Sequence, residues 1–115
     1  MIKPEIYDVV ELHSPVPENE LLAGMQGTLV HQHDDNVFEV EFINDHGETT
    51  ALCTLARDQF IVVWQAAKKD AVPLAEQVAQ YVTLLPQQAG TEVLDFARFL
   101  SYRQSKPNQS VYLSQ

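Results

Sequence analysis

The sequence predicts a mostly β fold with a C-terminal α segment: a small five-stranded barrel followed by two helices. Three observations carry this. Between Ala23 and Trp64 the apolar residues alternate with period two in short runs broken by Gly, Asn and Asp. After Pro73 the period changes to that of a helix. Pro86 then interrupts the helical pattern, which resumes on its far side.

The first strand is expected over Ile6–His13, where Ile6, Val9 and Leu12 fall out of strict alternation and so predict a bulge or bend. Ser14–Glu20 carries two prolines two positions apart, which a central strand does not accept, and reads as a surface loop. Gly24 and Gly27 bracket a turn, expected to use the positive φ that glycine allows. Thr28–His33 is the second strand, and Asp34-Asp35-Asn36 is a turn. The third strand, Val37–Ile43, places Phe38, Val40 and Phe42 on the core side and Val37, Glu39 and Glu41 on the other. Asn44–Glu48 is a second hairpin turn with Gly47 in the left-handed position. Thr50–Leu55 follows, with Ala51, Cys53 and Leu55 on one face. A single helical turn over Ala56–Phe60 precedes the last strand, Ile61–Trp64. Five short strands so spaced make an SH3-like barrel, because closing the sheet removes edges that short strands would expose. Phe38, Phe42, Phe60 and Trp64 are its expected aromatic core; Tyr7, Trp64 and Tyr112 are the aromatics kept as candidate ligand contacts.

This divides the chain into a barrel over 1–64, a linker over 65–73, a helical hairpin or elbow over 74–104 and a tail over 105–115. In the first helix Leu74, Val78, Tyr81, Val82 and Leu85 form one stripe. In the second, from about Pro86 to Arg103, the stripe is Ala89, Val93, Phe96, Ala97 and Leu100, flanked by Phe99 and Tyr102, with Gly90 weakening the helix. Val111-Tyr112-Leu113 reads as a frayed end or as a strand for a partner's sheet.

Charge bounds the partners. The 115 residues carry a net charge of −9. Up to Trp64, twelve acids meet only Lys3 and Arg57; from Gln65 on, five Lys and Arg meet four acids. So acidic a barrel repels phosphate backbones, which argues against nucleic acid and suits a basic protein partner. A nucleic-acid-associated SH3-like module and a homodimeric adaptor joined through the C-terminal helices are the alternatives. No apolar run approaches the ~20 residues of a membrane helix. The N-terminus lacks the charged and apolar regions of a signal peptide, so a cytoplasmic location is expected. Cys53 is the single cysteine and sits in an apolar run, where an inert buried thiol is expected.

No catalytic signature is present, and no enzyme or cofactor is expected. Ser14, Thr28 and Thr54 have no base motif beside them, and Gly24-x-x-Gly27 lacks the Lys and helix of a phosphate loop. His31, His33 and His46, with Asp34 and Asp35, are the candidate metal ligands, but their spacing defines no four-ligand set and no metal is expected.

Two stretches resemble known families. Asp8-Val9-Val10, Leu21-x-Ala23-Gly24-x-x-Gly27-Thr28-Leu29-Val30, Val37-Phe38-Glu39-Val40-Glu41-Phe42, Leu52-x-Thr54-Leu55 and Asp58-Gln59-Phe60 resemble a family of small, uncharacterised bacterial SH3-like proteins common in cyanobacteria. That resemblance implies the barrel and a genetic setting beside putative toxin genes; it implies no catalytic residue. Leu85-Pro86, a polar stretch and Glu92-Val93-Leu94-Asp95-Phe96-x-x-Phe99-Leu100 are similar to a helical motif of VapB-like antitoxins, with Gly90 departing from it. The DNA-binding domain of many antitoxins is replaced here by the acidic barrel. Together the resemblances imply an antitoxin-like protein that neutralises a basic toxin. Val93, Phe96, Phe99, Leu100 and Tyr102 would then contact the partner through a helix, and Asp34, Asp35, Glu39 and Glu41 would steer it.

Overall fold

A computed structural model describes residues 2–105 of the chain. Within them lie six strands: β1 (Val9–Leu12), β2 (Gln26–Asp34), β3 (Val37–Ile43), β4 (Thr49–Ala56), β5 (Phe60–Gln65) and β6 (Asp70–Ala71). Two helices follow, α1 (Leu74–Leu84) and α2 (Gln87–Ser105). The strands form one antiparallel sheet in the order β4-β3-β2-β1-β5-β6. The chain divides into two compact units, one ending at Tyr81 and the other beginning at Val82, so the boundary falls inside α1.

The alternation of β3 and β4 translates directly into faces. Phe38, Val40 and Phe42 are buried together with Ala51, Cys53 and Leu55, joined by Val10, Leu12, Leu29, Phe60 and Val62. Phe38 and Phe60 meet edge to face, with ring centroids 5.5 Å apart. β5 reads Phe60-Ile61-Val62-Val63, an unbroken apolar run, and all four residues are buried, as a strand covered on both faces requires.

The sheet departs from the expected barrel in three respects. It has six strands rather than five, and β4 and β6 at its two ends pair with no other strand, so it is open. The stretch expected as a linker over 65–73 instead turns back on itself: Lys69, at φ 51°, closes a turn in which its N–H donates to the Ala66 carbonyl at 3.2 Å. β6 then pairs with β5, and Val72 enters the core. That turn uses a lysine in the left-handed region, where Gly or Asn would have announced it. The first strand is shorter than expected because Tyr7, at φ 75°, turns the chain before Asp8. The irregularity expected there is present as a register shift between Val9 and Val10 on the β5 side.

The proline loop is anchored at both ends. Val16 and Leu21 are buried and exchange backbone hydrogen bonds at 2.9 and 3.1 Å around a 3-10 turn at Pro17–Asn19. A second 3-10 turn, Arg57–Gln59, leads into β5, and its Gln59 Oε1 accepts the Ala56 N–H at 2.7 Å. α1 ends at Leu84, two residues before Pro86, and α2 begins one residue after it. Val111-Tyr112-Leu113, with the Tyr112 candidate, lies outside the described residues.

Candidate functional site

Three surfaces gather side chains capable of recognition. The first is the outer face of β2, β3 and β4. Alternation turns Glu39 and Glu41 away from the core, and neighbouring hydroxyls hold both carboxylates. Thr54 Oγ1 donates to Glu39 Oε1 at 2.6 Å, and Thr49 Oγ1 donates to Glu41 Oε2 at 2.6 Å. Two register irregularities let β2 bring His31 opposite Glu39 and His33 Nε2 to 3.7 Å from Glu39 Oε2. The two imidazoles meet edge to face at 4.7 Å. Asp34 closes β2, its Oδ1 accepting the Asn36 N–H at 2.8 Å, and Asp35 is exposed in the turn beyond it. His46 lies in the separate turn between β3 and β4. Among the described residues no three His, Cys, Asp or Glu side chains are gathered to hold an ion.

The second surface is α2. Phe96, Phe99 and Tyr102 are 61%, 53% and 58% exposed, and Leu94 is 49% exposed. Val93 and Leu100 are half-buried. Phe96 and Phe99 stack at 6.0 Å, and the Arg103 guanidinium lies 5.7 Å over the Phe99 ring. Phe99, Phe96, Leu100 and Val93 fall within about 120° of helical arc. Of the expected stripe, Phe96 and Ala97 face solvent.

The third surface was not expected. α1 meets the sheet through polar residues at i, i+3 and i+4: Gln77, Gln80 and Tyr81. Of the predicted stripe Tyr81 takes part, whereas Leu74 is 78% and Val78 43% exposed. Gln80 is 6% exposed, its Oε1 accepting the Val62 N–H at 2.8 Å and its Nε2 donating to the Val62 carbonyl at 2.7 Å. β6 is too short to reach Val62, and the Gln80 amide completes that part of the edge as a strand would. The Tyr81 hydroxyl donates to Glu11 Oε2, and burial beside that carboxylate pushes its pKa up to about 12. Beside them an open groove is lined by Val9, Gln26, Val63, Trp64 and Gln77. Trp64, expected in the core and also kept as a candidate ligand contact, is half-buried here and lines the groove.

Two further groups hold the frame. Asp8 is 1% exposed and ties two turns together, accepting the Glu5 N–H at 2.9 Å and the Ala66 N–H at 2.8 Å. Arg57 donates to the Phe60 carbonyl at 2.9 Å and covers the Phe60 ring, and burial lowers its pKa. Burial, with Glu18 and Glu39 nearby, raises the Cys53 pKa, which leaves the thiol protonated and poorly nucleophilic. No hydrophobic period marks Asp8 or Gln80, because each bonds a distant backbone group, 58 positions away for Asp8 and 18 for Gln80.

These features define a small antiparallel sheet domain followed by two helices, with its surface chemistry on an acidic strand face, an apolar helix and a groove. Residues 6–62 match a family model described as a domain of unknown function, DUF4926. The match runs from the turn before β1 into β5 and leaves β6, α1 and α2 outside it. Comparison with curated proteins and with solved structures finds no match.

Proposed function

We propose that this protein is a non-enzymatic protein-binding module, an antitoxin-like neutraliser of a basic partner protein in the cytoplasm, with an SH3-like sheet domain carrying the acidic face. The observation that carries the reading is the apolar surface of α2. Three aromatic side chains more than half exposed on one helix are costly to leave in water and are what a helix laid into a partner's groove presents. The stacked Phe96 and Phe99 form a rigid pair that anchors the contact, with Leu100 and Val93 beside it and Tyr102 at its margin. Glu39 and Glu41, held by Thr54 and Thr49, together with Asp34 and Asp35, attract a basic surface and raise the association rate at low salt. Occlusion of the partner's working surface is the mechanism.

The test is a pull-down from nuclease-treated host lysate with wild type and with Phe96→Asp combined with Leu100→Asp. Wild type should retain a basic protein at stoichiometric level whose expression alone arrests growth and whose co-expression with this chain relieves the arrest. The double variant should lose it while its far-ultraviolet circular dichroism stays unchanged. Equal retention by the double variant would refute the helix anchor. Recovery of the bait alone, as a dimer, would replace the reading with self-association through α2.

A further inference from the structure

We infer that the groove between β1, β5 and α1 is a binding site for an arginine side chain presented by a protein partner. The inference does not rest on the α2 reading, since every residue in it lies in the unit that ends at Tyr81. It rests on which polar atoms the groove has left to offer. Gln77 Nε2 donates to the Val72 carbonyl at 2.9 Å, and Gln26 Nε2 donates to Glu11 Oε1 at 3.5 Å. The Gln77 orientation is forced, because a carbonyl only accepts, and the longer Gln26 contact to a carboxylate points the same way. Each glutamine therefore spends one N–H on the protein and keeps its carbonyl oxygen, beside a second N–H, for a ligand.

Glu11 reinforces that polarity. It lies on the same side of β1 as Val9, two residues on, and its register partner is the groove residue Gln26. Its Oε2 accepts the Tyr81 hydroxyl, which fixes the carboxylate as an acceptor for a cation at the groove's end. Trp64 supplies a half-buried indole at the groove, and no described Lys or Arg covers its ring. Val9 and Val63 give the groove its apolar walls. Besides the indole N–H and the second N–H of each glutamine, the groove offers acceptor oxygens, an aromatic face and apolar sides. A guanidinium matches all three. It carries five N–H donors and no acceptor, stacks flat on an aromatic ring, and is borne on an apolar stem. Charge agrees with the chemistry, since the segment up to Trp64 has twelve acids against two fixed cations.

The test is a titration of the ¹⁵N-labelled full chain with a capped Gly-Arg-Gly peptide, followed by amide and indole resonances. The expected result is saturable shifts confined to Val9, Gln26, Val63, Gln77 and the Trp64 indole. The same peptide with citrulline in place of arginine, which has the shape without the charge, should bind at least fivefold more weakly. Glu11→Gln, which keeps an acceptor for Tyr81, should weaken the arginine peptide by a similar factor. Absent or scattered shifts, or equal binding of the citrulline peptide, would overturn the inference. So would movement of these resonances with protein concentration alone, which would place a second copy in the groove. Phe96→Asp with Leu100→Asp should leave the titration unchanged, so this result and the α2 result are read separately.

Discussion

At Gly27 an added methyl group would lie 2.7 Å from Val40 Cγ1, 2.8 Å from the Glu41 carbonyl oxygen and 2.9 Å from Phe42 Cε2. The residue is needed for close approach between β2 and β3; it is Gly24, at φ +91°, that supplies the turn conformation. Gly27→Ala should therefore destabilise the fold by about 1–3 kcal/mol in urea denaturation, because backbone and core atoms must yield. Gly90 is the opposite case. Its nearest foreign atom to an added Cβ is Val82 Cγ1 at 3.6 Å, an ordinary contact, and it sits within α2. Gly90→Ala should raise stability by about 0.5–1 kcal/mol. Effects of the same sign at both glycines would refute this assignment. Both glycines are visible in the sequence, but the neighbours that separate their roles belong to other elements.

At the scale of elements, the edge of β5 explains why α1 is oriented as it is. The backbone of Val62 needs a donor and an acceptor beyond the end of β6, and one glutamine side chain provides both. Gln80→Leu would leave two buried backbone groups unpaired and should cost about 2–4 kcal/mol, read as a shift of the urea midpoint. Gln80→Glu should recover little, because a carboxylate cannot donate to the Val62 carbonyl. A midpoint unchanged in Gln80→Leu would show that the bonds to Val62 do not hold α1. The stripe of Leu74, Val78, Tyr81, Val82 and Leu85 was legible in the sequence, yet Leu74, Val78 and Leu85 are exposed and only Tyr81 and Val82 are half-buried. Hydrophobic periodicity finds a helix reliably, but finds its buried face only when the contact is apolar. In α2 the expected stripe is split: Phe96 and Ala97 face solvent, whereas Ala89, Val93 and Leu100 are half-buried.

For the molecule as a whole, pH acts through Tyr81. Its hydroxyl is favoured in the neutral form by burial and by Glu11, so its pKa in the folded state, about 12, lies above the ordinary value of about 10. The stabilisation is complete below about pH 10 and is lost as the pH rises from there toward 12. The stability gap between wild type and Tyr81→Phe should accordingly narrow across that interval; a gap that widened would contradict the assignment. The distribution of charge has a similar reach. The acids concentrate before Trp64, whereas the exposed aromatics of α2 lie after it, so negative charge and exposed apolar surface are segregated along the chain.

By itself the sequence determined the alternation of β3 and β4, the turn at Gly47, the break at Pro86 and the excess of acid, because each is written in neighbouring residues. The buried faces of β3 and β4 follow from a period of two, and the end of α1 from a missing N–H. Only the tertiary structure decided that the sheet stays open, that a sixth strand forms from the expected linker, that Gln80 rather than Leu74 meets the sheet, and that Trp64 lines a groove. The reason is physical: sheet edges and buried polar atoms take their partners from whatever the fold brings near, and those partners lie far away in the chain.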